Sequence, residues 1–281
     1  HRLRPAAAQP FRTPLPGPRD PTSSLISGCL VLAHARPPIA TIGTVTANRA
    51  EVEENTSMST LWGLLALTFS TGIIDALSWL GLNGVFTANM TGNVLIIGMG
   101  AVGAGGAHWA PPLAALVIFL LGAATAGRVQ RDQPPGWSAR TTTIFVAVGA
   151  IVLALGVASL AWPPRHFDES AYIVMGALAF AMGAQGAEAM RLAVPHIITV
   201  AVSSAVVGLG VSLFIAPHTR DRDGHDLLRR ALAIVALIGG AIVGSLLLQI
   251  AFGLGLVVAA AIVLTAVAVA TRFRRSVTSF R

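Results

Sequence analysis

Long apolar blocks separated by short polar stretches make up the chain from residue 60 onward. The blocks are about 20 residues long, the length that crosses a hydrocarbon core of roughly 30 Å as an α-helix. The predicted segments are 60–81, 84–104, 110–127, 141–161, 171–190, 196–216, 231–250 and 252–271. This pattern predicts an all-α, polytopic integral membrane bundle.

The second and sixth segments leave the number of crossings open. Asn83, Asn89 and Asn93 interrupt the second segment, and Pro195 and His196 open the sixth. Amide side chains are costly in hydrocarbon, and proline disfavours the helical conformation in the residue before it. The chain crosses the membrane eight times if both segments span it, and six times if both are re-entrant or broken.

Composition and charge fit a membrane protein. The chain is 54% hydrophobic and 11% charged, whereas soluble domains carry roughly 25% charged residues. All 19 basic residues are arginines, and they lie in loops and at the chain ends rather than on a basic helix face. We therefore predict membrane lipids as partners and no nucleic acid.

The arginine distribution also predicts orientation. With eight crossings, the arginine-rich loop before the seventh segment shares a face with the C-terminus, whereas the loop with Arg128, Arg131 and Arg140 lies on the opposite face. The positive-inside rule then places both termini in the cytoplasm of a bacterial inner membrane.

The first 57 residues differ from the rest because they are rich in proline and arginine. This composition predicts a disordered leader. Met58 immediately precedes the first apolar block, so we interpret it as the natural start and the leader as an upstream extension. The transmembrane domain then covers 58–272, and 273–281 form a short basic tail.

The sequence also matches itself at an offset of 111 residues. The offset aligns Ala66-Leu67-Thr68-Phe69 with Ala177-Leu178-Ala179-Phe180, and Gly72 with Gly183. We interpret 60–161 and 171–271 as internal repeats. Their first segments lie four segments apart, which predicts parallel repeats if every segment crosses. Duplicated halves are common in secondary transporters.

A polar stripe runs along the first predicted helix. Thr68, Thr71, Asp75 and Ser78 are spaced by three or four residues and therefore share one helix face. An intramembrane carboxylate costs at least a few kcal/mol unless it is paired or hydrated. We therefore expect Asp75 to face protein or water rather than lipid.

The second segment supplies further polar groups at helical spacing. Asn89 and Asn93 are four residues apart, as are Thr87 and Thr91, and Gly92 admits a close neighbour. We interpret Asp75, Asn89, Thr91 and Asn93 as lining a polar cavity or half-helix end that binds a small solute or a coupling ion. Oxygen ligands of this kind suit a proton or a hard cation.

The same side chains have a structural interpretation. Ser, Thr and Asn often hold membrane helices together through interhelical hydrogen bonds. This alternative is favoured for the individual hydroxyl residues, which include the candidates Thr71 and Ser78. Glu188 lies beside Arg191 near the end of its segment, and a local ion pair is the favoured interpretation there.

Enzymatic and metal chemistry find little support in the sequence. Cys29 is the single cysteine, and no HExxH, GxSxG or phosphate-binding loop is present. We expect no metal, no cofactor and no enzymatic activity. A lipid-directed enzyme with Asp75 as acid or base would require Glu188 or a histidine beside it.

Two stretches resemble one known family. Residues 72–81 read GIIDALSWLG, and 84–93 read GVFTANMTGN. This pairing resembles the YoaK-like bacterial membrane proteins, a domain-of-unknown-function family numbered 1275. In the second half, Met182 to Gln185 and Pro195 to Thr199 resemble the family's other signature. The resemblance adds Gln185 to the candidate site.

The chain departs from the family pattern at two places. Val202-Ser203-Ser204 replace a Thr-Gly pair, and Gly186 stands where Asn commonly follows Gln. These differences put a matching second half of the site in doubt. The resemblance covers roughly residues 60–270 and implies architecture more than activity.

The leading functional hypothesis is a transporter or permease for a small solute, coupled to a proton or cation. The alternative is a membrane scaffold or sensor that transports nothing. A solvent-accessible cavity reaching Asp75 favours transport. A dry, fully hydrogen-bonded Asp75 favours the scaffold.

Overall fold

The structure is a computed structural model that describes residues 39–133, 136–192, 205–207, 209–210 and 220–278. Side chains are described from Thr60 onward, excluding 220–226 and 273–278. Most of the predicted leader, most of the sixth segment 196–216 and the end of the basic tail lie outside the described residues.

The described residues form seven α-helices. They are α1 (Ile39–Gly81), α2 (Met90–Ala101), α3 (Ala110–Val129), α4 (Ala139–Ala161), α5 (Glu169–Leu192), α6 (Arg220–Ile250) and α7 (Phe252–Thr278). Six of these helices, all except α2, contain a stretch long and apolar enough to cross a membrane. The predicted all-α, multi-span membrane architecture is confirmed.

Helix α1 begins at Ile39, well before the first apolar block at residue 60. Its first part thus lies in the region predicted to be a disordered leader. Proline explains where the helix begins, since Pro37 and Pro38 precede it and the next proline is Pro111. The chain divides into the units His1–Val45 and Thr46–Arg281. All contacts discussed below lie within the second unit.

Helix α2 is too short to cross the membrane. It has 12 residues, which span about 18 Å at 1.5 Å per residue, against a hydrocarbon core of roughly 30 Å. Residues 84–89 of the predicted segment are not helical because Asn83 and Gly84 form a turn, with Gly84 at a φ of 64°. The second predicted segment therefore does not span the bilayer as a helix.

Contacts between helices define their directions. Helices α4 and α7 are antiparallel, since Gly156 lies against Val257 and Gly149 against Leu264. Helices α3 and α5 are parallel, because Gly122 meets Phe180 and Gln130 bonds to Glu188. Helices α1 and α6 are also parallel, with Phe69 against Gly240 and Ile73 against Gly244.

The two predicted repeats therefore begin with helices of opposite direction. Thr71 bonds to Gln185, and Leu64 shares a buried cluster with Ala189, so α1 and α5 are antiparallel. We predicted parallel repeats on the condition that every segment crosses. Because α2 does not cross, three crossings separate the start of α1 from α5, and the predicted parallel relation is wrong.

Arginine side chains collect at one end of the bundle, which we call the basic end. It comprises the start of the α1 span at Thr60, the ends of α3, α5 and α7, and the starts of α4 and α6. The described arginines there are Arg128, Arg131, Arg140, Arg191, Arg229, Arg230 and Arg272. The loop between α3 and α4 thus lies at the same end as the α7 terminus, contrary to the orientation expected from eight crossings.

Two glycine contacts bring helices together at backbone distance. Gly72 on α1 faces the backbone of Leu237 and Gly240 on α6. Gly183 on α5 faces the backbone of Phe119 and Ala123 on α3. A side chain on either glycine would occupy the space of the neighbouring backbone, so both contacts require glycine.

Candidate functional site

Residues 82–101, which we call the hairpin, fold back into the bundle. The backbone N–H groups of Thr87 and Ala88 donate to Asp75 Oδ1 at 3.1 and 2.8 Å. Helix α2 then runs back toward the end of α1, since Ile96 and Met99 share a cavity with Asn83. The hairpin is therefore re-entrant, and the N-terminus of α2 lies beside Asp75.

Asn93 closes the hairpin. Its Oδ1 accepts from the backbone N–H of Phe86 at 3.0 Å, and its Nδ2 donates to the carbonyl of Phe86 at 2.7 Å. The side chain is fully buried. Asn93 was predicted to bind a ligand, but the structure places its amide against the hairpin backbone, where both polar groups are used.

Three further residues of the hairpin motif shape its turn. Asn89 is the N-cap of α2 and accepts from the backbone N–H of Gly92. Gly92 lies against the ring of Phe86, which leaves no room there for a side chain. The Phe86 ring in turn stacks on Trp79, with ring centroids 4.6 Å apart. Gly92 thus acts through packing rather than by binding a ligand.

Ser78 joins the same set of contacts from α1. Its hydroxyl donates to the carbonyl of Asp75 at 3.1 Å and accepts from the hydroxyl of Thr87 at 3.4 Å. Both hydroxyl side chains are fully buried. Ser78 was a predicted site residue, and the structure places it between α1 and the hairpin, facing away from open space.

A cavity of about 470 Å³ lies between α1, the start of α2 and α6. Its polar lining comes from Thr71, Asp75, Asn89, Thr91 and Ser245. The first four were predicted from the sequence. Ser245, with its neighbours Leu237 and Ala241, was missed because nothing in the local spacing of α6 indicates that it faces the hairpin.

Asp75 is one of the residues that line this cavity. Its Oδ1 accepts the backbone N–H groups of Thr87 and Ala88, and the backbone N–H of Asn89 also interacts with the carboxylate. Among the described residues, no side chain donates to this carboxylate or forms an ion pair with it. The side chain is partly buried. No arginine, histidine or second acid is found among the described residues that line the cavity.

Gln185 lies behind the wall of the cavity. It is buried, and its Nε2 donates to Thr71 Oγ1 at 3.0 Å, while that hydroxyl donates to the carbonyl of Leu67 at 2.8 Å. Its Oε1 is buried without a hydrogen-bond partner. Gln185 thus reaches the site through Thr71 and is not one of the described lining residues.

Glu188 lies in a different polar network, at the basic end. It is 1% exposed, accepts from Gln130 Nε2 at 2.9 Å and lies 3.7 Å from Arg191 Nε. Arg191 and Gln130 both donate to Thr141 Oγ1. The structure confirms a local pair of Glu188 with Arg191. Gln130 and Thr141 were not predicted as partners of Glu188, because they are 58 and 47 residues away from it along the chain.

Histidines lie near a second cavity, outside the site. His108, His166 and Asn83 line a space of about 390 Å³ near the end of α1. The part of the chain that the structure describes contains no group of three or more His, Cys, Asp or Glu residues suited to a metal ion. This cavity therefore offers no ligand set for a metal.

Comparison with known proteins identifies the family to which the chain is similar. The sequence profile described as "Protein of unknown function (DUF1275)" matches residues 63–270. The chain is similar to the UPF0700 transmembrane protein YoaK of Bacillus subtilis (strain 168), with 29% identity over 195 residues, which cover 67% of this chain and 83% of the relative. No solved structure matches.

Proposed function

Since the chain belongs to the DUF1275 family, whose description names no activity, we propose a function from the site itself: a permease that carries a small solute through the cavity at Asp75. The observation that carries the proposal is that this cavity is lined by a carboxylate within a membrane-spanning helix, and that no described side chain pairs with this carboxylate. An acid in such a position is costly unless it serves a ligand, a proton or water.

The hairpin supports the proposal through its geometry. Secondary transporters often bind solutes where a helix is interrupted near the middle of the bilayer, since the end of the half-helix offers unpaired backbone groups. Here α2 begins beside Asp75, about two turns below the end of α1 at Gly81. Irregular backbone at membrane depth is tolerated where it is buried in protein or lines an aqueous cavity.

The paired glycine contacts support an inverted duplication. Gly72 and Gly183 correspond at the 111-residue offset, and each meets the backbone of a parallel partner helix, α6 and α3 respectively. We infer that the two halves are copies of one unit inserted in opposite orientations. Such inverted repeats allow a central site to alternate between the two faces of the membrane.

We also propose that both termini of the membrane domain are cytoplasmic, in a bacterial inner membrane. Six crossings bring the described arginines of the α3–α4 loop, the α6 start and the α7 end to one face. Short cytoplasmic loops carry an excess of arginine. Since α2 is not a crossing, none of the described loops at the opposite end of the bundle is rich in arginine.

The second candidate function is a scaffold or sensor. The observation that favours it is the use of Asp75 Oδ1, Ser78 and Asn93 as hydrogen-bond partners within the hairpin. These bonds stabilise the fold with or without a ligand. The scaffold gives no role to the cavity that adjoins the Asp75 carboxylate.

The test is solute and proton flux into proteoliposomes, screened over a broad metabolite set. Asp75→Asn is the informative variant because an amide oxygen can still accept from Thr87 and Ala88, which preserves the hairpin while removing the charge. Thr143→Ala is the matched control, since Thr143 is an exposed membrane residue that donates only to its own helix at Ala139.

We expect at least one solute to be carried by the wild type and Thr143→Ala, with loss of flux in Asp75→Asn. Size-exclusion profiles and melting temperatures verify that each variant is folded. Absence of flux for every solute in folded wild-type protein contradicts the permease and leaves the scaffold.

A further inference from the structure

We propose that the ligand of the Asp75 cavity is a small organic monocation that carries N–H donors, such as a protonated amine. This inference deepens the proposed function and takes the same cavity as its site. It rests on the charge of the lining, on the hydrogen-bonding state of its hydroxyls and on its aromatic wall.

The charge of the lining favours a cation. Asp75 is the single ionisable side chain among the described lining residues. The N-terminus of α2 carries a partial positive charge that in other transporters receives an anionic group of the substrate. Here Asp75 Oδ1 accepts from the backbone of Thr87 and Ala88, just before the N-cap of α2, so a carboxylate already lies beside this N-terminus. The cavity therefore offers a carboxylate to its ligand rather than a vacant anion site.

The hydrogen bonds of Ser245 favour a ligand with N–H donors. Ser245 donates its hydroxyl proton to the carbonyl of Ala241 at 2.8 Å, so its oxygen can only accept from a ligand. Thr71 is used within the fold, since it donates to Leu67 and accepts from Gln185. The Ser245 oxygen and the Asp75 carboxylate thus supply two acceptors in the lining, which an ammonium or amidinium group satisfies through its N–H donors.

The aromatic part of the lining also favours an organic cation. Trp79 and Phe86 line the same cavity, and an organic cation beside aromatic rings gains a cation–π attraction. A bare divalent ion would require six to eight oxygen ligands and more than one carboxylate in most sites. A volume of about 470 Å³ also exceeds what a bare ion fills. These features favour an organic cation over a metal ion.

The experiment measures charge selectivity at the cavity without requiring transport. Cys29 is the single native cysteine, so Cys29→Ser gives a thiol-free background. Thr91→Cys then places a thiol at the exposed cavity wall, and Ala104→Cys places one in an exposed loop whose sequence neighbours are uncharged. Each variant is labelled with trimethylammonium-ethyl and sulfonate-ethyl methanethiosulfonates.

We expect the ratio of cationic to anionic labelling rates to be about tenfold larger at position 91 than at position 104, because a charged cleft concentrates ions of opposite sign. Asp75→Asn should bring the two ratios together. Butylammonium should slow labelling at position 91, whereas butanol at the same concentration should not. Because each result is the ratio of the cationic to the anionic labelling rate at one position, differences in intrinsic thiol reactivity between the two positions cancel.

Equal ratios at the two positions, or a ratio unchanged by Asp75→Asn, overturns the cation inference. Slowing by butanol as strongly as by butylammonium overturns it too. If labelling is charge-selective but the proteoliposomes show no flux, the cation site stands and the permease is contradicted. If neutral solutes are transported and labelling is not charge-selective, the permease stands and the cation site is contradicted.

Discussion

At the scale of single residues, the motif around the hairpin divides into two groups. Asn93, Gly92 and Ser78 have their polar or packing capacity used inside the fold. Asp75 and Thr91 face the cavity. The sequence identified both groups but could not separate them, because helical spacing places side chains on a face without showing which backbone lies opposite.

Asn93→Ala is expected to destabilise the protein by about 2 kcal/mol, because the N–H and carbonyl of Phe86 lose their partners in a buried position. The measurement is thermal unfolding in detergent. Asn89→Ala is the comparison, since it removes an N-cap and should cost about 1 kcal/mol. A smaller effect at position 93 than at 89 contradicts the assignment of Asn93 as the residue that closes the hairpin.

Glu188→Ala is expected to cost about 3 kcal/mol, because it leaves the partly buried Arg191 and the amide of Gln130 without their buried acceptor. Glu188→Gln should cost less, since its amide oxygen can still accept from Gln130. Chemical or thermal unfolding of the two variants measures the difference. Equal stability of Glu188→Ala and wild type would show that the hydrogen bonds of Glu188 do not stabilise the fold.

At the scale of elements, the positions of the membrane-spanning helices were predictable from the sequence, whereas the contacts between elements were not. The apolar pattern located all six described spans to within a few residues, and the α1 span coincides with the predicted segment at both ends. The failure of α2 to cross follows from the turn at Asn83 and Gly84 that precedes it and from the bonds of residues 86–88 to Asp75 and Asn93. Those partners are up to 13 residues away, outside the reach of a hydropathy window.

Gly72→Ala should destabilise the protein by about 1 to 3 kcal/mol, since its methyl group would meet the α6 backbone at Leu237 and Gly240. Gly98→Ala is the matched control because it has open space around it, and there we expect unchanged or slightly raised stability. Melting temperatures of the two variants decide the point. Equal melting temperatures would mean that α1 and α6 are not in backbone contact.

At the scale of the whole molecule, the number of crossings sets the relative direction of the two predicted repeats. An even number of crossings between the starts of their first helices makes these helices parallel and an odd number makes them antiparallel, so one short helix decides the relation. The 111-residue offset was visible in the sequence. The antiparallel direction of α1 and α5 was not, because it depends on whether residues 84–104 reach the far side.

Topology can be checked with cysteines in the Cys29→Ser background. Six crossings predict that cysteines at Gln133 and at the C-terminus label from the same face, and that one at Ala104 labels from the other. Spheroplasts treated with an impermeant maleimide, before and after lysis, report the face. Labelling of position 133 and the C-terminus from opposite faces would restore an eight-crossing topology.

Synthesis of the chain exposes Asp75 before its partners exist. The N–H groups that bind its carboxylate are 12 and 13 residues further along, which the ribosome adds in roughly one to three seconds at 5–20 residues per second. During that interval α1 holds an acid with no partner from the hairpin, and lipid is the least favourable place for it. Release of α1 from the translocation channel is therefore expected to wait for the hairpin, so that the two leave as one unit.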